Sequence, residues 1–390
     1  MPLKTRTHFT RKINCERSEK MKYKKFLFAI AISFSFIAGG CGQVVTDSGF
    51  QVQDMEKIED LHIPYDVSQL DLYRISNIQE QDEKSIFLLG LNDGKLLYTI
   101  NADYDSPNAV MALKKTEMVN IYDIQKGQII ESYPFTEDFY VLYGTIAGKS
   151  ILLSGLPLKE DKRSSQILSL GDEKKILYEG RIANFQECPK LVPFEKDMAM
   201  TLLQLPDKKG FYSVAENGLS EFLFFNQEEQ LVNFDFKSNG KDFLTVVKKN
   251  GNGMFLYANK DTVQYLKLPE GLKIVTYALC GKTLVLYAKN EENDVPVLYW
   301  YSFMDQSESY RIADVSYRIP DGKDSFFAGI NGNFEPFLYQ IKDNDIYRNP
   351  IDLSDHMETT SDYFQIIEAD TGQILFNAPE NKTVFIIQTD

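Results

Sequence analysis

Side chains able to bind metals or move protons are scarce in this sequence, apart from the carboxylates. Of the three histidines, only His62 and His356 lie beyond residue 40. A Ser-His-Asp triad or a histidine metal centre would have to use one of them, and each stands in a turn-like segment that suits a solvated imidazole better. Asp103 with Asp105, and Asp343 with Asp345, could offer oxygens to calcium. Neither pair has the full spacing of a calcium loop, and both read as hairpin turns. Beyond residue 40 there are 54 acidic residues, so paired carboxylates for glycoside cleavage could come from almost anywhere. Their separation in space would decide the matter, and spacing along the chain does not supply it. Val297 to Phe303 (VLYWYSF) holds the only tryptophan, Trp300, between Tyr299 and Tyr301. The composition is that of a sugar platform, but strand alternation puts the tyrosines on one face and the indole on the other, which fits burial on both faces. No Walker loop or Rossmann glycine pattern is present. The sequence therefore assigns no catalytic residue, no cofactor and no metal ligand.

One residue does receive a specific chemistry. Lys22, Lys24 and Lys25 form a positive segment, Phe26 to Ile37 is a twelve-residue apolar run, and Ala38-Gly39-Gly40-Cys41 follows. A membrane-spanning helix needs about 20 apolar residues, so the run fits a cleaved signal better than an anchor. These residues resemble the lipobox of bacterial lipoproteins, with Ala38 where that family more often has Leu. The resemblance implies lipidation of the Cys41 thiol, cleavage before it, and attachment to the membrane by palmitate-type chains, each buried methylene contributing about 0.8 kcal/mol. An ordinary secretory signal cut near Ala38 or Gly40 is the alternative. The expected organisation is an upstream extension over 1–20, with Met21 as the start, a signal peptide over 21–40, a polar tether over 41–55 and one folded domain over 56–390.

The chain from Cys41 onward has 350 residues with 33 basic and 54 acidic side chains, a net charge of −21. Such a body repels nucleic acid and anionic headgroups, so neither is an expected partner of its surface. Besides Cys41 only Cys188 and Cys280 remain, which excludes a disulfide-rich scaffold and a cysteine metal cluster. They could pair or be buried separately.

From Ser85 onward the pattern is all-β: short runs of Val, Ile, Leu, Phe and Tyr, broken by turn dipeptides such as Asn92-Asp93-Gly94, Asn217-Gly218, Asn250-Gly251 and Asn331-Gly332. A loose repeat runs through it, in which a turn ending in Gly-Lys or Glu-Lys leads into an apolar strand, a polar turn and a strand rich in aromatics. Its instances begin at Lys84, Lys149, Lys196, Lys241, Lys282, Lys323 and Gln373, with spacings of 65, 47, 45, 41, 41 and 50 residues. Most lie near the 40 to 50 residues of a four-stranded propeller blade. The long first interval would hold either an insertion at Asn101 to Met111 or part of another blade. The last repeat is too short for a whole blade, so the strand-like Val67 to Ile75 is expected to pair beside the C-terminal strands and close the ring. Pro320-Asp321-Gly322-Lys323 is similar to the turn of TolB-like repeat propellers, and Met118 to Phe135 looks like their strand-turn-strand hairpins. The fold expected is an all-β propeller of seven blades, with six or eight also compatible.

The function expected from these readings is that of a lipid-anchored extracytoplasmic propeller, binding a protein or glycan at the cell envelope without catalysis. Two alternatives stand beside it: an envelope glycan hydrolase or lyase with carboxylates at the propeller channel, and an accessory subunit of a transporter or envelope-assembly complex.

Overall fold

The computed structural model describes residues 43–46, 71–75, 85–104, 113–158, 164–171, 173–195, 197–225, 229–312, 326–330, 336–342, 345–350, 365–367, 373–378 and 383–388. Among these, strands make up all the regular structure except one 3-10 turn at Phe185–Glu187. Strands β1 (Gln43–Thr46) and β2 (Asp71–Ile75) precede the repeats. The first sheet is β3 (Ser85–Asn92), β4 (Lys95–Tyr104), β5 (Leu113–Asp123) and β6 (Gln128–Pro134); the second is β7 (Phe139–Ala147), β8 (Ser150–Pro157), β9 (Ser164–Leu170) and β10 (Lys174–Arg181). The third is β11 (Val192–Phe194), β12 (Met198–Gln204), β13 (Lys209–Ala215) and β14 (Gly218–Phe224); the fourth contains β15 (Glu229–Ser238), β16 (Phe243–Lys249), β17 (Asn252–Ala258) and β18 (Val263–Lys267). The fifth is β19 (Leu272–Cys280), β20 (Thr283–Asn290), β21 (Pro296–Ser302) and β22 (Glu308–Ile312). The sixth is β23 (Phe326–Ile330), β24 (Pro336–Lys342) and β25 (Asp345–Pro350), and the seventh contains β26 (Gln365–Ile367), β27 (Gln373–Ala378) and β28 (Thr383–Gln388).

The hairpins form where the turn residues demand. Asp93 (φ 50°) and Gly94 (φ 66°) give the two-residue connection that pairs Asn92 with Lys95, as do Asn250 (φ 52°) and Gly251 (φ 83°) between β16 and β17. The strands they join are largely apolar because the first and fourth sheets are buried on both faces. Along β20 and β21, Leu284, Leu286, Ala288, Val297, Tyr299 and Tyr301 pack against the fourth sheet, while Val285, Tyr287, Leu298 and Trp300 pack against the sixth. The same alternation separates Ile151 and Leu153, which face the first sheet, from Leu152, which faces the third. A further cluster, including Phe211, Phe236 and Phe243, fills the space between the third and fourth sheets.

Successive sheets are also joined at one end, through the turns between their first and second strands. Asn92 Nδ2 donates to the Ile146 carbonyl at 2.7 Å, Glu195 N to Gly240 O at 3.3 Å, and Asn239 Nδ2 to Gly281 O at 2.6 Å. Around Asn239 the buried Asp242 carboxylate accepts from Tyr257 Oη (2.6 Å), Asn259 Nδ2 (2.9 Å) and Asn239 Nδ2 (2.9 Å). At the other end of the succession β26 lies against β3, bringing the last sheet to the first.

The expected closing strand is present: β2 pairs antiparallel with β28, from Asp71 opposite Gln388 to Ile75 opposite Val384. Two expectations change. Gly148-Lys149, Gly240-Lys241 and Gly281-Lys282 each sit between a first and a second strand, whereas Lys84 precedes a first strand. The matching position in the first sheet is Gly94-Lys95, so the first repeat starts at Lys95 and the interval to Lys149 is 54 residues. The error arose because β3 and β4 are both apolar and both follow a lysine. Secondly, Gln43–Thr46, expected within the tether, is a strand paired parallel with β18.

Candidate functional site

The residues singled out for chemistry are dispersed. Cys41, His62, His356, Asp105 and Asp343 lie outside the described residues. Asp103, one residue before the end of β4, is exposed and ion-paired with Lys114, and Asp345 opens β25. Trp300, Tyr299 and Tyr301 are all core, with Trp300 only 1% exposed. Cys188 and Cys280 are buried and do not pair with each other. The Cys188 sulfur lies 3.5 Å from Ser154 Oγ, and burial pushes its thiol up to about 11, too high for a ready nucleophile.

The structure instead gathers a charged set on, or just before, the first strands of the middle sheets. In β15 the pairing with β16 jumps from Leu231↔Val247 to Phe236↔Thr245, so several residues of the first strand bulge out of the ladder. Asp235 lies in this bulge, its carbonyl tied down by Thr245 Oγ1 at 2.9 Å. Lys190, from the segment leading into β11, reaches the Asp235 carboxylate at 3.6 Å and donates to the Phe236 carbonyl at 3.1 Å. Lys237, two residues along β15, stands 3.8 Å from the other carboxylate oxygen and 5.9 Å from the Tyr277 ring centre. Tyr277 of β19 donates to the Asp235 carbonyl at 3.5 Å. Tyr143 of β7 completes the group, its hydroxyl pushed up by burial, with Lys190 opposing the shift.

Burial alone would raise the Asp235 carboxyl, but the charges of Lys190 and Lys237 outweigh it and hold the group below the usual carboxylate range. Yet the Asp235 side chain is 45% exposed. An arriving polar group can therefore reach this carboxylate from solvent. Two ammonium groups, one ionised carboxylate and two phenols can bind a polar or charged group through ion pairs and hydrogen bonds. Cleavage of a glycoside by two carboxylates would need a second acid here, and the described cluster contains one. No group of three or more His, Cys, Asp or Glu side chains able to hold a metal occurs among the described residues.

Among solved structures, the chain is similar to the β-propeller domain of the Trilobed protease from Pyrococcus furiosus, described as having an open velcro topology. The identity is 12%, the TM-score 0.50, and the match covers 80% of this chain and 95% of that one. The chain is a β-propeller. Two further propeller domains align: the WD40 domain of SCAP from fission yeast (8% identity, TM-score 0.48, 83% and 98% covered) and the β-propeller domain of Myceliophteria thermophila Cps50 (Swd1) (12%, 0.47, 81% and 99%). No protein-family model and no curated protein matches the sequence.

The propeller also has a polar recess, a cavity of about 230 Å³ between the second and third sheets, lined among others by Tyr178, Arg181, Glu187 and Gln204. The segment between β10 and β11 supplies part of its wall. Glu187 is already engaged there, accepting from Ala183 N (2.7 Å) and Asn184 Nδ2 (3.1 Å), so it shapes the loop. Arg181 is exposed at the end of β10 and offers a planar donor to an arriving group. The same segment carries Cys188 and Lys190, linking the recess to the charged cluster. Sequence reasoning missed the cluster because its members lie on separate repeats and the bulge that turns Asp235 out leaves no motif.

Proposed function

We propose that this protein is a lipid-anchored propeller displayed outside the bacterial cytoplasmic membrane, each of its seven sheets forming one blade, and that it binds a protein or glycan of the cell envelope without transforming it. The lipobox-like residues ending at Cys41 support the anchoring. The observation that carries the binding reading is the partly exposed cluster of Lys190, Asp235, Lys237, Tyr143 and Tyr277, drawn together from the segment before β11 and from the first strands of three sheets. Its carboxylate is occupied by two lysines, which suits recognition of a polar partner better than proton transfer to a glycosidic oxygen.

The test is crosslinking in intact cells, followed by solubilisation, pull-down on a C-terminal tag and mass spectrometry, with Cys41→Ala and Lys190→Ala/Lys237→Ala as comparisons. One dominant protein partner, lost in both variants, is the expected result. A transporter or assembly complex among the captured proteins would specify the accessory role. Retained cell-wall glycan shortened on incubation would overturn the non-catalytic reading.

A further inference from the structure

The fourth sheet differs from the others in holding a fifth strand. β1 lies parallel along the outer edge of β18, with Gln43 opposite Val263, Val44 opposite Gln264, Val45 opposite Tyr265 and Thr46 opposite Leu266. Every other strand pairing in the described sheets is antiparallel. A meander joined by tight turns cannot produce a parallel neighbour, so β1 is an addition from outside the repeat. Its sequence, QVVT, is rich in β-branched residues, and the edge of β18 would otherwise present unpaired backbone groups.

The register of this pairing fixes a direction. In an antiparallel four-strand meander, the turn after the first strand and the turn after the third lie at the same end. β18 starts at its first-listed partner Val263, directly after the third-to-fourth turn, whose residues Asn259 and Thr262 bond to each other. The chain therefore enters β1 at the end of the sheet that carries Asn239–Asp242, and in the neighbouring sheet Gly281 and Lys282. Only Gly42 separates Gln43 from Cys41, a reach of about 7 Å in extended chain. The recess lined by Arg181 and Gln204 belongs to the opposite end, because β10 and β12 both finish there.

We infer that β1 is a docking strand that holds the propeller against the lipid surface by the end bearing the first-to-second-strand turns, leaving the recess and the entry to the Lys190 segment directed away from the membrane. The inference rests on the lipid-anchor reading of Cys41 and adds to it which end is covered. That end carries exposed Lys149, Lys241 and Lys282 but also Glu195 and Asp197, so the strand register, not local charge, sets the orientation. A floppy tether would let the body tumble; four residues paired along an edge remove that freedom.

Lys282 and Glu292 flank β20 at its two ends, about 26 Å apart for eight residues of strand. The full chain carrying either Lys282→Cys or Glu292→Cys is labelled with a fluorophore and reconstituted into vesicles containing nitroxide-labelled phosphatidylglycerol. Cys188 and Cys280 are buried and stay unlabelled. Lys282→Cys is expected to be quenched several-fold more than Glu292→Cys; equal or reversed quenching overturns the inference. Incorporation of labelled palmitate, lost in Cys41→Ala, is measured on the same preparations. Its absence would sink the anchoring reading itself, separately from the orientation. Replacing both Val44 and Val45 by Pro removes the pairing N–H groups whichever of them faces β18. With palmitate retained, that variant is expected to lose the difference between the two sites; a difference that persists shows that β1 does not orient the body.

Discussion

Substitution of Asp242 by Ala is expected to loosen the fourth sheet from the fifth. The carboxylate accepts from the Tyr257 hydroxyl at 2.6 Å and from the Asn239 and Asn259 amides at 2.9 Å, and Asn239 in turn holds the Gly281 carbonyl. Tyr257 is 2% exposed, so its O–H has no access to water once the acceptor is gone, a cost of about 2 kcal/mol for a bond to a charged group. The two amides are only half-buried and recover part of their loss from solvent, roughly 0.5–1 kcal/mol each. The sum is about 3–4 kcal/mol, a large share of a typical domain's stability. Urea unfolding followed by the fluorescence of Trp300, the only tryptophan and one buried against the sixth sheet, measures it directly. Tyr257→Phe alone should cost less, because the carboxylate keeps both amides, and the double variant should reveal a coupling of about 1–2 kcal/mol. A loss below about 1 kcal/mol for Asp242→Ala, or strict additivity with Tyr257→Phe, would refute the claim that this network ties the sheets.

Three other outcomes follow from the same structure. Because the folded carboxyl of Asp235 titrates below its ordinary value, its ionised form stabilises the fold above the usual carboxylate range, and that contribution disappears as pH falls through the folded value; Asp235→Asn should therefore lose stability less steeply on acidification, measured by urea midpoints between about pH 6 and pH 3. Trp300→Ala should destabilise by about 3–5 kcal/mol, as removal of a buried aromatic does, and a variant that keeps its urea midpoint would mean the indole is not core. Gly94→Ala meets open space and bears only the cost of a left-handed alanine, about 1 kcal/mol, whereas the added methyl of Gly155→Ala collides with the Tyr140 backbone carbonyl; thermal melts should rank Gly155→Ala as the more damaging of the two.

What the sequence revealed and what it hid have distinct physical causes. The Asn-Gly and Gly-Lys turns were readable because left-handed backbone admits few residue types, and Trp300 was readable as core because strand alternation is strict. Val67 to Ile75 was expected to close the ring since the last repeat lacked a strand, and β2 does so. The phase of the first repeat slipped from Lys95 to Lys84 because a sheet covered on both faces erases the polar side that would distinguish its first strand from its second. The charged cluster was invisible for another reason. Lys190, Asp235 and Tyr277 share no spacing, and only the three-dimensional succession of sheets, with an irregular bulge in β15, brings them together.

The latch between β2 and β28 joins segments separated by nearly the entire chain. Loop-closure entropy opposes such a contact until almost every intervening sheet has formed, so this pairing belongs to the last stage of folding. In a chain synthesised N-terminus first, β2 emerges early and must wait, unpaired, for residues 383–388. Ring completion thus acts as a proof that synthesis has reached β28: a product truncated before Thr383 would leave β2 and the edge of β27 open, and those unpaired edges would mark it for aggregation or proteolysis.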